Sequence, residues 1–294
     1  MPSPVLPGLF ADPNIAVFGD TYYLYPTTDG FDDWGGHEFR AFSSKNLVDW
    51  TDHGVILDVA DLSWAEKWAW APSIAEKDGK YYFYFSAGMA EGDTGKHLGV
   101  AVSDSPTGPF KDALGEPLVP AGTYPGQQID SAVFKDDDGR YYLYWGNGHA
   151  YQVPLNDDMV SFNPAEVRAY KPEDYCEGSF VIKRGGVYYF MWSEGDTRSE
   201  DYRIAYATGD SPLGPWSDRV GAILRKDLSK GIKGTGHHTV VQVPGEDEWY
   251  IAYHRFAIPG GGGFNRESCI DRMYFEEDGT IRPVRPTLEG PEAI

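Results

Sequence analysis

Five aromatic-rich segments recur along this chain and set the scale of whatever it folds into. They read Thr21-Tyr22-Tyr23-Leu24-Tyr25, Lys80-Tyr81-Tyr82-Phe83-Tyr84, Arg140-Tyr141-Tyr142-Leu143-Tyr144, Val187-Tyr188-Tyr189-Phe190-Met191 and Glu248-Trp249-Tyr250-Ile251-Ala252. With Tyr22, Tyr81, Tyr141, Tyr188 and Trp249 as markers, the steps are 59, 60, 47 and 61 residues. That is the scale of one four-stranded blade. The expectation is an all-β chain, a five-bladed β-propeller that uses residues 1–294 as a single domain.

Each aromatic strand follows a turn rich in Gly and Asp, such as Asp78-Gly79 or Gly185-Gly186, and before that a short apolar strand. These are hairpin signals. Asp12 stands ten residues before Tyr22 and Ala71 ten before Tyr81, while Asp130, Glu177 and His238 stand eleven before their markers, with His237 beside His238. In a propeller the first strand of each blade lines the axis, so these positions should meet at one end of the central channel. Collecting three carboxylates there is costly, since burial and like charge both raise carboxyl pKa values. A lone Asp before a hairpin is an ordinary turn residue; agreement of three acids at one repeat position points to a site.

Composition narrows the partners. A formal charge of −20 and a pI near 4.6 argue against nucleic acid, which needs clustered Lys and Arg. No run approaches the roughly 18 apolar residues of a membrane span. The acidic groups Asp136-Asp137-Asp138, Glu246-Asp247-Glu248 and Glu276-Glu277-Asp278 are expected on solvated loops. Cys176 and Cys269 make no disulfide framework, and Cys176 is expected to be a buried small residue rather than a nucleophile. Nothing at Met1-Pro2-Ser3-Pro4-Val5 resembles a secretory signal, so a cytoplasmic location is expected unless a signal has been trimmed.

Third strands lead to a second shared element. Phe39-Arg40-Ala41-Phe42 runs on to Trp50, Leu98-Gly99-Val100-Ala101-Val102 to Phe110 and Tyr202-Arg203-Ile204-Ala205-Tyr206 to Trp216, aromatics expected to plug the space between blades. In the last blade, Cys269–Phe275 and Thr280–Val284 are expected to form a closing hairpin around Asp278-Gly279.

Opposed carboxyl groups at the scale of a sugar ring are the equipment of glycoside hydrolysis, one protonating the leaving oxygen and the other activating water or attacking directly. A third carboxylate can keep the acid protonated. The segments Ala11-Asp12-Pro13-Asn14-Ile15, Trp70-Ala71-Pro72-Ser73, Ile129-Asp130-Ser131-Ala132, Cys176-Glu177-Gly178-Ser179 and Gly234-Thr235-Gly236-His237-His238 together resemble the blade motifs of glycoside hydrolase family 43. The resemblance implies an inverting catalytic propeller acting on arabinose- or xylose-containing plant saccharides. It makes Asp12 the general base, Glu177 the general acid and Asp130 the modulator of the acid. It gives His237 an axial place facing a calcium ion through water, Arg266 a reach to sugar hydroxyls, and His238 a structural hydrogen-bonding role. No cofactor is required on this reading. Trp70 and Trp34 offer apolar faces for sugar stacking.

The implied activity is exo-acting release of terminal α-L-arabinofuranose, β-D-xylose or both, with similarity to bifunctional xylosidase/arabinofuranosidase members. Three alternatives stay open: an endo-acting arabinanase with an open groove, a retaining sucrose-type hydrolase, and a non-catalytic carbohydrate-binding propeller.

Overall fold

The computed structural model describes residues 3–92 and 94–294. Its five antiparallel sheets follow one another in chain order. The first blade comprises β1 (Phe10–Phe18), β2 (Thr21–Thr28), β3 (Glu38–Ser44) and β4 (Thr51–Asp58). The second comprises β5 (Lys67–Lys77), β6 (Lys80–Gly88), β7 (His97–Ser103) and β8 (Lys111–Asp112). The third, β9 (Ala132–Lys135) to β12 (Arg168–Tyr170) through β10 (Tyr141–Trp145) and β11 (Ala150–Pro154), is the short blade of the 47-residue step. The fourth holds β13 (Tyr175–Arg184), β14 (Val187–Glu194), β15 (Arg203–Gly209) and β16 (Gly221–Leu224); the fifth holds β17 (Gly236–Gln242), β18 (Trp249–Phe256) and β19 (Arg266–Met273). The architecture is the expected all-β, five-bladed propeller.

The recurring aromatic strand is the second strand of every blade, and its chemistry explains its sequence. The ring of its last tyrosine is buried while the hydroxyl reaches the next blade: Tyr25 donates to Pro106 O at 2.7 Å, Tyr84 to Met159 O at 2.6 Å and Tyr144 to Pro212 O at 2.5 Å. Each pair seals a blade junction with a large apolar body and a satisfied polar tip. In the fourth blade Met191 takes that place, and Tyr189 instead donates to Gly279 O. The plugs behave as expected in two junctions: buried Phe110 donates its N–H to Ile56 O of the first blade, and Trp216 donates its indole N–H to Gln152 Oε1 of the third at 3.1 Å.

Two expectations are corrected. The hairpin around Asp278-Gly279 forms, with Phe275 bridged to Ile281, Glu276 N–H donating to Thr280 O and Arg282 N–H to Tyr274 O, but it adds no fourth strand to the last sheet. Its outer side is tied instead to the start of the chain, with Val5 N–H donating to Ser268 O and Ser3 N–H to Leu288 O. Beyond the turn, Val284 N–H donates to Ile223 O, so the tail crosses to the fourth blade rather than completing the fifth. Asp136 is not a solvated loop acid. It is buried, accepts from Lys183 Nζ at 2.8 Å and from Tyr188 OH at 2.6 Å, and joins the third blade to the fourth.

Candidate active site

The inner strands reach the axis through a repeated distortion. Asp12, Ala71, Asp130 and His237 all have positive φ, at 47°, 43°, 61° and 42°. Non-glycine residues adopt this conformation at a cost of about 1–3 kcal/mol each. Register breaks at Ala11/Asn14, Trp70/Ser73 and Gly236/Thr239 mark the accompanying bulges, which re-aim side chains near sheet ends. In the fourth blade Gly178 takes the positive φ, at 67°, and the acid is the residue before it. Glu177 therefore leaves the backbone one position earlier than Asp12 or Asp130, a shift that counting residues does not reveal.

A second ring of side chains holds this one. The Ala71 N–H donates to Thr27 Oγ1 at 2.8 Å, the Asp130 N–H to Ser86 Oγ at 3.1 Å and the His237 N–H to Ser193 Oγ at 2.9 Å. In the first blade the partner is His254, whose Nδ1 lies 3.3 Å from the Asp12 nitrogen and 3.0 Å from its Oδ1. The contact to the carboxylate is the shorter and is charge-assisted, so the Nδ1–H tautomer donates to it. The fourth blade is again the exception, because the Gly178 N–H serves the Asp130 carboxylate.

Asp12, Asp130, Glu177 and His237 line one cavity of about 530 Å³, together with Trp34, Trp70 and Arg266. Every residue expected at the site is thus brought to it. The wall beside Ala71 is aromatic: Trp34 meets Trp70 edge-on at 6.3 Å and packs against Phe264 at 4.4 Å. Their indole N–H groups are spent on the scaffold, Trp34 donating to Gly263 O at 2.7 Å and Trp70 to Trp34 O at 2.8 Å. The rings are thereby fixed in the cavity wall.

Asp12 and Glu177 are treated in opposite ways. Burial pushes the Asp12 carboxyl up, but the Arg266 guanidinium, then His237 and His254, outweigh it and hold it well below the usual carboxylate range. Burial pulls His237 down to about 4 and lowers His254 as well. Both imidazoles are then neutral at pH 7, which leaves Arg266 as the full positive charge on Asp12. Its Nη1 lies 3.2 Å from Asp12 Oδ1 and 3.2 Å from Thr197 Oγ1, while its backbone N–H, Nε and Nη2 bind the buried Asp29 at 2.8–3.0 Å. One Nη2 hydrogen is left without a protein partner among the described residues.

Among the described residues Glu177 meets no such cation at hydrogen-bond distance. Tyr202 OH donates to its Oε1 at 2.8 Å and Asn147 Nδ2 to its Oε2 at 2.9 Å. Burial, followed by the charge of Asp12, outweighs these bonds and raises its pKa. Asp130 is raised further, by burial, then by Glu177 and Asp12. The two acids interact and release their protons as a pair. The cavity can therefore present an ionised carboxylate and a protonated one together, as proton transfer at a glycosidic bond requires.

Sequence reading missed Asn147, Tyr202, His254 and Asp29. It expected a hydrogen-bonding role for His238, yet neither nitrogen of this buried ring has a protein partner among the described residues, and burial pulls it to about 3. Burial pushes the Cys176 thiol far up, so it stays protonated and is no nucleophile. Calcium does not fit as a protein-coordinated ion at His237. Its Nδ1 instead faces Asp12 at 3.7 Å and Asp130 at 3.6 Å. Among the described residues, three ligand-type side chains gather closely enough to share an ion only at His37, Glu38 and Asp58.

The comparisons with known proteins give the family and the fold. The family described as "Glycosyl hydrolases family 43" matches residues 1–281. The chain is 41% identical over 304 residues to "Beta-D-galactofuranosidase xynD" of Aspergillus niger, covering 99% of this chain and 86% of that protein. It superimposes on a thermostable family-43 glycoside hydrolase with a TM-score of 0.86 and 31% identity, over 99% and 98% of the two chains. A family-43 β-xylosidase/α-arabinofuranosidase from a compost microbial metagenome, solved with xylotriose in a calcium-free form, gives a TM-score of 0.82 and 31% identity over 96% and 97%. With motif, fold and cavity in agreement, the chain belongs to glycosyl hydrolase family 43 and is a glycoside hydrolase.

Proposed function

We propose that the protein is an exo-acting, inverting hydrolase that removes terminal α-L-arabinofuranose or β-D-xylose from plant-derived oligosaccharides. The observation that carries this reading is one cavity in which Arg266 holds the Asp12 carboxyl well below the usual carboxylate range while burial and the Asp12 charge raise Glu177, which sits between neutral donors. In the mechanism Glu177 protonates the glycosidic oxygen as the anomeric C–O bond breaks. Asp12 takes the proton of the water that attacks the opposite face, and Asp130, which titrates with Glu177 as a pair, tunes the acid. The Trp34–Trp70 wall and the free Nη2 hydrogen of Arg266 receive the sugar. A calcium ion on the axis would face His237 through its own waters, since calcium takes six to eight oxygen ligands and His237 supplies none. No step passes through it.

A second reading has its own support. The Aspergillus niger relative is described as a β-D-galactofuranosidase, and β-D-galactofuranose has the ring configuration of α-L-arabinofuranose with one more exocyclic carbon. A furanoside pocket with room at that carbon accepts both.

The test is a screen of nitrophenyl α-L-arabinofuranoside, β-D-xyloside and β-D-galactofuranoside, with proton NMR of the first-formed sugar. The expected result is release of a single terminal sugar with inverted anomeric configuration. Retention would replace the mechanism with a double displacement, fragments from linear arabinan would replace exo with endo action, and no release from any substrate would leave a binding propeller.

A further inference from the structure

Glu177 has two partners of different chemistry. The Asn147 amide nitrogen can only donate, whereas the Tyr202 hydroxyl can donate or accept. Tyr202 is fully buried, and its ring is held from two directions. It stacks on His254 with ring centroids 5.6 Å apart and planes within 8°. It also lies so close to Gly236 that a Cβ there would come within 2.1 Å of the ring. His254 Nδ1 in turn lies 3.0 Å from Asp12 Oδ1. One rigid pair of rings thus spans from Glu177 to Asp12.

We propose that Tyr202 is the positioning residue of the acid half of the reaction, its hydroxyl turning from acceptor to donor as Glu177 gives up its proton. The inference rests on the functional reading above. Before the reaction Glu177 is a carboxylic acid, and the Tyr202 hydroxyl turns its own hydrogen to Ser193, the other side-chain hydroxyl that interacts with it. Glu177 then passes its proton to the glycosidic oxygen, the anomeric C–O bond breaks, water forms the new bond and its proton goes to Asp12. Glu177 is left as a carboxylate, and Tyr202 now donates to Oε1 while Asn147 donates to Oε2. The other groups facing Glu177 cannot make this turn. Asp12 and Arg266 hold fixed charge, Cys176 stays protonated, and Asp130 is occupied by the Gly178 N–H.

The experiment compares wild type, Tyr202→Phe and Ser193→Ala across pH on a pentosyl oligosaccharide and on a dinitrophenyl pentoside, whose leaving group needs no protonation. Tyr202→Phe removes the donor to the carboxylate, so the basic limb of kcat moves up by about one pH unit. Its kcat on the oligosaccharide falls about tenfold with little change in KM, while dinitrophenyl turnover stays within about twofold. Ser193→Ala removes the acceptor used in the acid state and moves the basic limb down. Opposite shifts cannot come from loosened packing, and the Ser193 variant answers the question even if Tyr202→Phe fails to fold. Limbs coincident with wild type, or equal losses on both substrates, overturn the inference. A wild type that releases no sugar overturns the functional reading instead.

Discussion

Asp12 and Glu177 lie in one cavity, yet the protein builds opposite surroundings for them. The Asp12 side, made by the first and fifth blades, brings a buried guanidinium and two imidazoles to a carboxylate. The Glu177 side, made by the third and fourth, offers a phenol and an amide. Desolvation acts on both, so burial alone cannot separate an acid from a base. The difference lies in whether the compensating group carries a full charge. A cation favours the ionised carboxyl by several kcal/mol at low effective dielectric, whereas neutral donors only partly offset desolvation.

The strongest way to break this contrast is to remove each carboxylate in turn. Glu177→Gln is expected to lower kcat on oligosaccharides by about 10²–10⁴-fold and to regain most of the loss on a dinitrophenyl pentoside. Asp12→Asn is expected to lose a comparable factor on both substrates, because no leaving group substitutes for the activation of water. Steady-state kinetics on the two substrates checks the assignment, and reversed rescue would exchange the roles.

Asp130 sharpens the comparison through stability. Its raised pKa means that its contribution to folding is fully present below the unfolded carboxyl value near 4 and is lost as pH rises through the higher folded value. Asp130→Asn should therefore unfold at a higher temperature than wild type at neutral pH. It should show almost no gain at pH 4, and its activity should fall at least about tenfold. Thermal melts at the two pH values give the result. Asp12, held low by Arg266, carries the opposite sign: its contribution is present above the unfolded value and is lost as pH falls through the folded one.

These contrasts were legible in the sequence only in part. The blade count and the three acids could be read because each repeats against the aromatic marker, and repetition survives without coordinates. The residues that tune the acids repeat too, in a register that was not searched. Thr27, Ser86, Gly146, Ser193 and His254 each stand five residues after their marker. Four of them meet the positive-φ residue of the following blade. Gly146 offers no side chain, and it precedes the one blade whose bulge N–H turns to a carboxylate. Tyr202, Asn147 and Asp29 follow no such period, since each answers one neighbour across a blade junction. The closing of the last blade was misread for a related reason: a turn signal at Asp278-Gly279 reports a reversal of the chain, not which edge the strand then joins.

That second ring supplies the finest test, because it holds one bulge that carries an acid and one that carries none. Thr27→Val keeps the shape of the side chain and orphans the Ala71 N–H, while Ser86→Ala orphans the Asp130 N–H. Each should cost about 1 kcal/mol of stability, the penalty of a buried donor without a partner. If the ring only braces the fold, the two variants will have equal activity. If it also aims the side chains, Ser86→Ala will lose several-fold in kcat and Thr27→Val will not, since the Ala71 side chain carries no group for the reaction. Equal stability losses with unequal rates would show that the strained backbone at Asp130 serves the chemistry, and that the same strain at Ala71 persists because the blade repeats.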